Sequence, residues 1–313
     1  MATSETTPSF ETSETTPSSE QQVRLLIWTI ARSTSTVLSK CLSFVENTKV
    51  FFEICENGLM IPEAATEGGQ LNISVAEQKV CNFMKKAYEL TNVSAGLDAS
   101  QCTLPMFKKQ LEEAHTGKKF IFCKDMAYAI SDHLEFLPKG FRHLFLIRHP
   151  LRVFPSWKKI YLQMTDMSPE DFHLDDLPPN LFPKGFGYRE MNELFEHVMK
   201  EEHDQEAIIV DADDLLQDPK GILSALFKDI GLPFDETVLH WEAGDAVSEQ
   251  WTIPRAFLQG NKLVGFYQNA LDSTCFLKPK PLPDRSSISP DLFRFVDASM
   301  PYYQKMYSKR LTV

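Results

Sequence analysis

The sequence lacks the features that mark membrane, exported and general nucleic-acid-binding proteins. The longest apolar run near its start, from Leu25 to Ala31, is too short to span a bilayer. The first 22 residues contain neither the basic region nor the apolar stretch of a signal peptide, so we expect a cytoplasmic protein with no membrane partner. Its 32 Lys and Arg residues are outnumbered by 43 Asp and Glu residues, which gives a net charge of −11. Because a general nucleic-acid surface needs a basic face, we expect no nucleic-acid partner.

Paired cysteines and clustered metal ligands are also missing from the sequence. The six cysteines are scattered without a CxxC pair. Several of them fall in apolar stretches typical of buried elements, which favours reduced, buried thiols over a disulfide framework. Histidine and cysteine form no clustered ligand pattern, so the sequence predicts no metal site.

The chain does contain a repetitive tail followed by a globular region. The segment TSETTPS occurs twice, at 3–9 and 12–18. Such Ser, Thr, Pro and Glu tracts bury too little apolar surface to offset the entropy of ordering, so residues 1–21 are predicted to be disordered. The whole chain is 43% hydrophobic and 24% charged. Its length and composition predict one domain over residues 22–313.

Short apolar runs alternate with longer helical patterns in this region. Five runs are nearly continuous in apolar residues, as expected for strands covered on both faces: 23–30, 49–53, 119–124, 142–148 and 207–211. Helical patterns occur at 34–46, 75–91, 104–115, 187–203, 219–230 and, after a Pro- and Ser-rich linker, at about 290–307. The alternation predicts an α/β fold, with three α/β/α layers around a mainly parallel sheet of about five strands. Residues 166–186 and 244–283 are predicted to be loop-rich insertions over the site.

The first strand leads into a hydroxyl-rich turn at the start of a helix. The sequence there reads IARSTST, in which Arg32 precedes four hydroxyl side chains. Free backbone N–H groups, the helix dipole, hydroxyl donors and a cation together form a typical anion site. The turn contains no glycine and therefore differs from the GxxxxGK[ST] loop of nucleoside triphosphatases. The alternative interpretation is an ordinary Ser/Thr helix cap beside a surface arginine.

The fourth strand also ends on an arginine, in the stretch FLIRHPLRVFPSW. Arg148 follows the strand, Pro150 suits the first turn of a helix, and Pro155 is predicted to break or kink that helix. Ligands of open parallel sheets bind at the carboxyl ends of the strands. Arg148 and Ser156 could there hold a second phosphate by charge-assisted hydrogen bonds. The alternative is an ion pair at the sheet edge and an ordinary N-cap serine.

These two elements and the stretch IIVDADDLLQDPKGILSALFKDIGLPFD resemble the sulfotransferase superfamily over about residues 23–242. WTIARSTST is similar to the family's 5′-phosphosulfate loop, and FLIRHPLRVFPSW is similar to its 3′-phosphate element. The R-S-T-S-T loop and the third-strand K-D-M resemble a subgroup sometimes labelled branched-chain aminotransferase-like. The resemblance implies a P-loop fold and the donor 3′-phosphoadenosine 5′-phosphosulfate (PAPS), without a metal. The donor-binding residues that it implies are Arg32, Ser33, Thr34, Ser35, Thr36, Arg148 and Ser156.

Sulfuryl transfer also needs a base that takes the acceptor's proton, and two carboxylates lie at strand ends. Glu53 ends the second strand, where some sulfotransferase branches carry a catalytic glutamate. Asp125 follows Lys124 in FIFCKDM, where the cytosolic branch reads K-T-H and its lysine bridges the transferring group and the leaving oxygen. Met126 stands at the histidine position, so Glu53 or Asp125 must act as the base or the protein does not turn over. The alternatives are a structural salt bridge from Glu53 to Arg32 and Asp125 as a helix cap.

Two functions from different classes therefore remain open. The first is a sulfotransferase that moves a sulfuryl group from PAPS to a hydroxyl or amine of a small-molecule acceptor, under a partly apolar lid at 166–186. The second is a non-catalytic nucleotide-binding module of the same fold that has lost its base. A kinase using ATP and Mg²⁺ is disfavoured, because the Gly-Lys-Ser/Thr loop is absent. The sequence carries no signal for an oligomeric state.

Overall fold

The structure is a computed structural model that describes residues 22–56, 78–80, 82–83, 86, 102–201 and 207–313. The tail predicted at 1–21 lies outside these residues, as does most of the helix predicted at 75–91. None of the helices in the described ranges combines the length and apolar character needed to cross a membrane.

The strands of the described residues form one parallel sheet. Their bounds are Val23–Thr29 (β1), Thr48–Phe52 (β2), Phe120–Met126 (β3), Arg142–Ile147 (β4), Ile208–Asp211 (β5) and Trp251–Thr252 (β6). They pair side by side in the order β5-β4-β1-β3-β2-β6, and each pair is parallel. The predicted α/β class and mainly parallel sheet are confirmed. The sequence does not predict β6, because two residues are too few to show a strand pattern.

The helices connect the strands and cover the sheet. Their bounds are Ser35–Leu42 (α1), Leu104–Glu112 (α2), Pro150–Leu162 (α3), Tyr188–Glu201 (α4), Ala212–Gln217 (α5), Pro219–Ile230 (α6), Arg255–Val264 (α7), Gln268–Leu271 (α8) and Phe293–Tyr307 (α9). The prediction of a loop-rich 244–283 is wrong, because this segment contains β6, α7 and α8. Helix α7 forms because one of its faces is apolar enough to bury Ala256 and Phe257.

Helix α3 continues through Pro155, so the predicted break does not occur, while the predicted kink at this residue stays a prediction. Pro150 occupies the first turn, where its missing N–H costs nothing, and the His149 side chain accepts a hydrogen bond from Leu151 N. Packing holds the rest of the helix, since Phe154 and Trp157 are almost completely buried and α3 contacts α9. Tertiary contacts therefore outweigh the local cost of the second proline.

The centre of the sheet is buried on both faces. All seven residues of β3 are buried, as are the last five residues of β1. Because successive side chains of a strand point to opposite faces, this burial requires cover on both sides of the sheet, as in a three-layer arrangement. The cysteines in the described ranges form no disulfide bonds, and of these only Cys275 is not buried.

The sheet topology brings the four candidate strand ends to one edge. Strand β1 lies between β3 and β4, which lie in opposite directions from it, so the strand order switches there. Ile27 of β1 and Phe52 of β2 both pair with Lys124 of β3. The residues that follow these strands therefore meet at the same carboxyl edge, which is where open α/β sheets bind ligands.

Candidate active site

The turn after β1 has a strained backbone. Arg32 and Thr34 adopt left-handed conformations, with φ angles of 67° and 72°. This conformation is unfavourable for most residues and especially for β-branched threonine, and such strain concentrates at functional sites. Thr34 is the N-cap of α1, yet its side chain makes no capping hydrogen bond. The turn is thus shaped for something other than capping its own helix.

Two hydroxyl groups of this turn are buried without partners. The Ser33 Oγ and Thr34 Oγ1 atoms find no hydrogen-bond partner within the part of the chain that the structure describes. Buried polar groups are normally satisfied, and the first backbone N–H groups of α1 also have no acceptor inside the helix. A cradle of unsatisfied donors at a helix N-terminus suits an anion.

Arg32 is held by two contacts from distant parts of the chain. Its Nε donates to the Ser156 hydroxyl at 3.0 Å, and its Nη1 donates to the Phe266 carbonyl oxygen at 2.9 Å. Burial lowers the pKa of the Arg32 guanidinium, while the charge of Glu53 acts in the opposite direction. Arg32 is therefore a fixed cation beside the turn, and the predicted salt bridge to Glu53 is replaced by neutral partners.

Arg148 lies directly beside Arg32. Its Nη1 donates to the Arg32 carbonyl oxygen at 3.0 Å, while its Nε lies 3.8 Å from Asp213 Oδ1. Asp213 makes its short hydrogen bond with Arg152 instead, at 2.6 Å. Burial is the main cause that lowers the pKa of Arg148, with Asp213 opposing it. We call Arg32, Arg148 and Ser156 the arginine group; its positive charge is only partly compensated.

Glu53 and Lys124 form a buried ion pair. Glu53 Oε1 contacts Lys124 Nζ, and the Tyr267 hydroxyl donates to Glu53 Oε2 at 2.6 Å. The backbone N–H of Glu53 donates to the Lys124 carbonyl oxygen at 2.8 Å, although Glu53 has a φ of 52°. The side-chain exposures of Lys124 and Glu53 are 1% and 6%, so both charges are removed from bulk water.

Asp125 is occupied by backbone groups. Its carboxylate accepts hydrogen bonds from the backbone N–H groups of Cys55, Glu56 and Met126, at 2.7, 3.0 and 2.9 Å. Burial raises the pKa of Asp125 to about 7, against the effect of these three hydrogen bonds. Asp125 also lies on the opposite side of β3 from Lys124, because side chains alternate along a strand. Its contacts fix the turn after β2.

That turn places a carboxylate that the sequence analysis missed. Glu56 lies three residues after Glu53 and is 6% exposed, and its Oε1 accepts a hydrogen bond from the Tyr128 hydroxyl at 2.5 Å. Burial and the neighbouring Glu53 raise the pKa of Glu56 to about 8. The spacing of two glutamates directly after a strand was the available sequence signal. We call Glu53, Glu56, Lys124 and Tyr267 the carboxylate group.

Both groups line one cavity of about 330 Å³. Of the residues singled out in the sequence, those in its wall are Arg32, Thr34, Ser35, Thr36, Glu53, Lys124, Arg148 and Ser156. Ser33 and Asp125 do not line it. Aromatic and apolar side chains form much of the remaining wall, including Trp157, Tyr161, Phe257 and Phe266. Tyr267 was not predicted individually, although the segment 244–283, which contributes it and Phe266, was predicted to lie over the site.

Metal ligands are not grouped in the residues that the structure describes. No set of three or more His, Cys, Asp or Glu side chains in these ranges is arranged to hold a metal ion.

Comparisons with known proteins give a partial match. Residues 201–310 match a family model described as a sulfotransferase domain. Two curated proteins of Arabidopsis thaliana are similar. Branched-chain-amino-acid aminotransferase-like protein 1 is 25% identical over 218 residues, which is 68% of this chain and 33% of that protein. Branched-chain-amino-acid aminotransferase-like protein 2 is 28% identical over 151 residues, which is 48% of this chain and 23% of that protein. The chain thus spans a third or less of the length of these relatives.

Two solved structures are also similar. A sulfotransferase domain from the curacin biosynthetic pathway shares 18% identity at a TM-score of 0.46, covering 89% of this chain and 98% of its own. A sulfotransferase from Alicyclobacillus acidocaldarius shares 10% identity at a TM-score of 0.49, and the match covers 93% of this chain and 98% of that protein. The family-model match extends from the end of α4 through α9, and includes Phe266 and Tyr267 of the cavity wall. The family-model match confirms the resemblance to sulfotransferases over residues 201–310.

Proposed function

We propose that the chain transfers a sulfuryl group from PAPS to a hydroxyl or amine of a small-molecule acceptor. The observation that carries this proposal is the meeting of Arg32 and Arg148 in a cavity that also contains Glu53 and Lys124. Because Arg32 follows β1 and Arg148 follows β4, one ligand in this cavity can bind each arginine with a different phosphate. The sulfotransferase-domain match supports the same reaction class.

The arginine group and the turn after β1 fit such a donor. The unpartnered hydroxyl of Thr34 and the N-terminus of α1 suit the 5′ side, whereas the buried Ser33 does not line the cavity. Arg148 and Ser156 suit the 3′-phosphate, since Arg148 Nε makes no hydrogen bond within the described ranges and the Ser156 hydroxyl accepts from Arg32 while its proton stays available. When bound, PAPS supplies an activated sulfuryl group on a phosphate leaving group.

The carboxylate group has the parts needed for acid–base work. We assign Glu53 as the base, because it lines the cavity whereas the Asp125 carboxylate is held by backbone N–H groups outside it. Lys124 places a cation against Glu53 and can stabilise negative charge that develops beside it. Tyr267 holds the other Glu53 oxygen, which fixes the direction of the carboxylate.

A non-catalytic binding module is the second candidate. The favouring observation is that both Glu53 oxygens already have partners, Lys124 and Tyr267, while Met126 stands at the usual position of the base. A carboxylate has more acceptor sites than these two contacts use, so we favour the enzyme.

Incubating the protein with [35S]PAPS and a metabolite extract tests the proposal. The expected result is a labelled product that requires the protein and is lost in the Glu53→Gln variant. The binding module predicts instead that adenosine 3′,5′-bisphosphate (PAP) binds, as measured by calorimetry, while no label is transferred. A chain that neither binds PAP nor transfers label would overturn both functions.

A further inference from the structure

The proposed transfer leaves one buried acid of the cavity without a role. Glu56 lines the cavity and is 6% exposed. Its Oε1 accepts a hydrogen bond from the Tyr128 hydroxyl, and its backbone N–H donates to the Asp125 carboxylate, so both its side chain and its backbone are held in place. The Asp125 and Tyr128 contacts point to a carboxylate built into the wall rather than a surface group that has folded inward.

The charge of Glu56 has no cationic partner in the described ranges. Lys124, whose charge acts to lower the pKa of Glu56, makes its close contact with Glu53 instead. None of the Lys, Arg and His side chains in these ranges forms an ion pair with Glu56. A buried carboxylate without a counter-charge is costly, and the raised pKa of Glu56 is in line with that cost. The wall thus holds an acid that stays largely protonated near neutral pH and whose ionised form a bound cation would compensate.

One aromatic side chain contacts this carboxylate and two others line the same cavity. Tyr128, which donates to Glu56, stacks on Trp157 with 6.2 Å between ring centroids. Trp157 and Tyr161 line the same cavity, and the Tyr161 hydroxyl is tied to the Leu181 carbonyl oxygen at 3.1 Å. A carboxylate beside aromatic faces is the environment that binds organic ammonium groups, through ionic and cation–π attraction.

We propose that the acceptor is an amino alcohol whose ammonium group is bound by Glu56 against Trp157 and Tyr161, while its hydroxyl faces Glu53. This inference rests on the proposed function and specifies its acceptor class. A neutral acceptor would leave Glu56 protonated, whereas an ammonium group would stabilise its ionised form and supply the missing counter-ion. The same cavity then separates two ligands by charge: phosphates at the arginine group and the ammonium at Glu56.

Calorimetry on PAP-loaded protein with two matched compounds tests the inference. Phenylalaninol carries an ammonium where 2-methyl-3-phenylpropan-1-ol carries a methyl group, so the pair isolates the charge. We expect the wild type to bind phenylalaninol about tenfold more tightly or better, because its ammonium forms a charge-assisted contact in a shielded site. In Glu56→Gln, which keeps the size of the side chain, this preference falls to within about twofold.

Glu249→Gln is the matched control, because it removes an exposed glutamate that does not line the cavity. It is expected to keep the wild-type preference. Equal binding of the two compounds by the wild type, no binding of phenylalaninol at millimolar concentration, or an unchanged preference in Glu56→Gln each overturns the inference.

PAP binding is measured separately from the ammonium preference, so the proposed donor and the proposed acceptor class can fail independently. PAP binding that is intact alongside a missing ammonium preference refutes the acceptor class alone. Loss of PAP binding together with a Glu56-dependent ammonium preference refutes the proposed donor and leaves the ammonium site standing.

Discussion

The two halves of the cavity wall are built in different ways. The arginine group comes from two short stretches, 31–36 and 148–156, each of which directly follows a strand. The carboxylate group comes from β3, from the turn after β2 and from the α7–α8 segment, so that Tyr267 and Glu53 are 214 positions apart. One half depends on local sequence and the other on the whole topology.

The two halves also carry opposite electrostatic imbalances. Arg148 shares Asp213 with Arg152, so the arginine group has more positive than negative charge in contact with it. In the carboxylate group, Glu53 and Glu56 face a single lysine among the described residues. Within proteins such imbalances are expensive, and they are typical of sites that bind ligands of the opposite charge.

Replacing Lys124 by methionine is the most severe test of this division. We expect turnover to fall by about 10²–10³-fold, because a fixed cation in a shielded site acts mainly on charge that develops in the transition state. PAP affinity is expected to change by less than about threefold, since Glu53 already contacts Lys124 in the resting protein. Label-transfer kinetics and calorimetry measure the two quantities.

Lys139→Met, at an exposed position, serves as the control. The double variant Lys124→Met with Glu53→Gln removes the unpaired carboxylate and separates a folding defect from a catalytic one. Equal losses of turnover and PAP affinity in Lys124→Met would place Lys124 with the donor-binding residues and contradict the division.

Replacing Arg148 by glutamine is expected to act on the arginine group alone. The preference for PAP over adenosine 5′-phosphate should fall by about 10–100-fold, because a charge-assisted phosphate contact is lost. Arg142→Gln is a matched control, since Arg142 begins the same strand at the opposite edge and pairs with partly exposed Asp229. Nucleotide titrations in which Arg148→Gln still prefers PAP as the wild type does would remove Arg148 from the 3′-phosphate site.

Replacing Tyr267 by phenylalanine tests the most distant member of the carboxylate group. Turnover is expected to fall about tenfold, because Glu53 loses the hydroxyl that directs one of its oxygens. The acceptor KM and the PAP affinity should change little, since the ring still packs edge-on against Phe52. A rise in KM with unchanged kcat would instead assign Tyr267 to acceptor binding.

The different construction of the two halves explains which site residues could be predicted from the sequence. Arg32 and Arg148 were predictable, because each stands in a contiguous motif and parallel strands bring their carboxyl ends together. The role of Asp125 in holding the turn after β2 was not, since its partners are backbone groups about seventy positions away. Tyr267 was missed for the same reason: no local pattern reports that the α7–α8 turn reaches β2.

The pH dependence of stability gives the smallest expected effect and tests the carboxylate group without any ligand. The pKa of Glu56 is raised from 4.5 to about 8 in the folded protein, so folding favours its protonated form. Its contribution is therefore fully present below about pH 4.5 and is lost as the pH rises towards 8. Glu53, Asp125, Lys124, Tyr128 and Tyr161 face it in both the wild type and Glu56→Gln.

The difference between these two proteins in the free energy of unfolding should report the Glu56 charge together with its coupling to these neighbours. We expect Glu56→Gln to be more stable by about 1–3 kcal/mol at pH 8, because the amide still accepts from Tyr128 but carries no charge to be buried. Urea unfolding at pH 4.5, 6, 7 and 8 should show the gain growing with pH and disappearing in acid. A gain that is constant across this range, or a loss at pH 8, would mean that Glu56 is already compensated in the folded chain, and the charge imbalance that makes this half of the cavity an ammonium site would not exist.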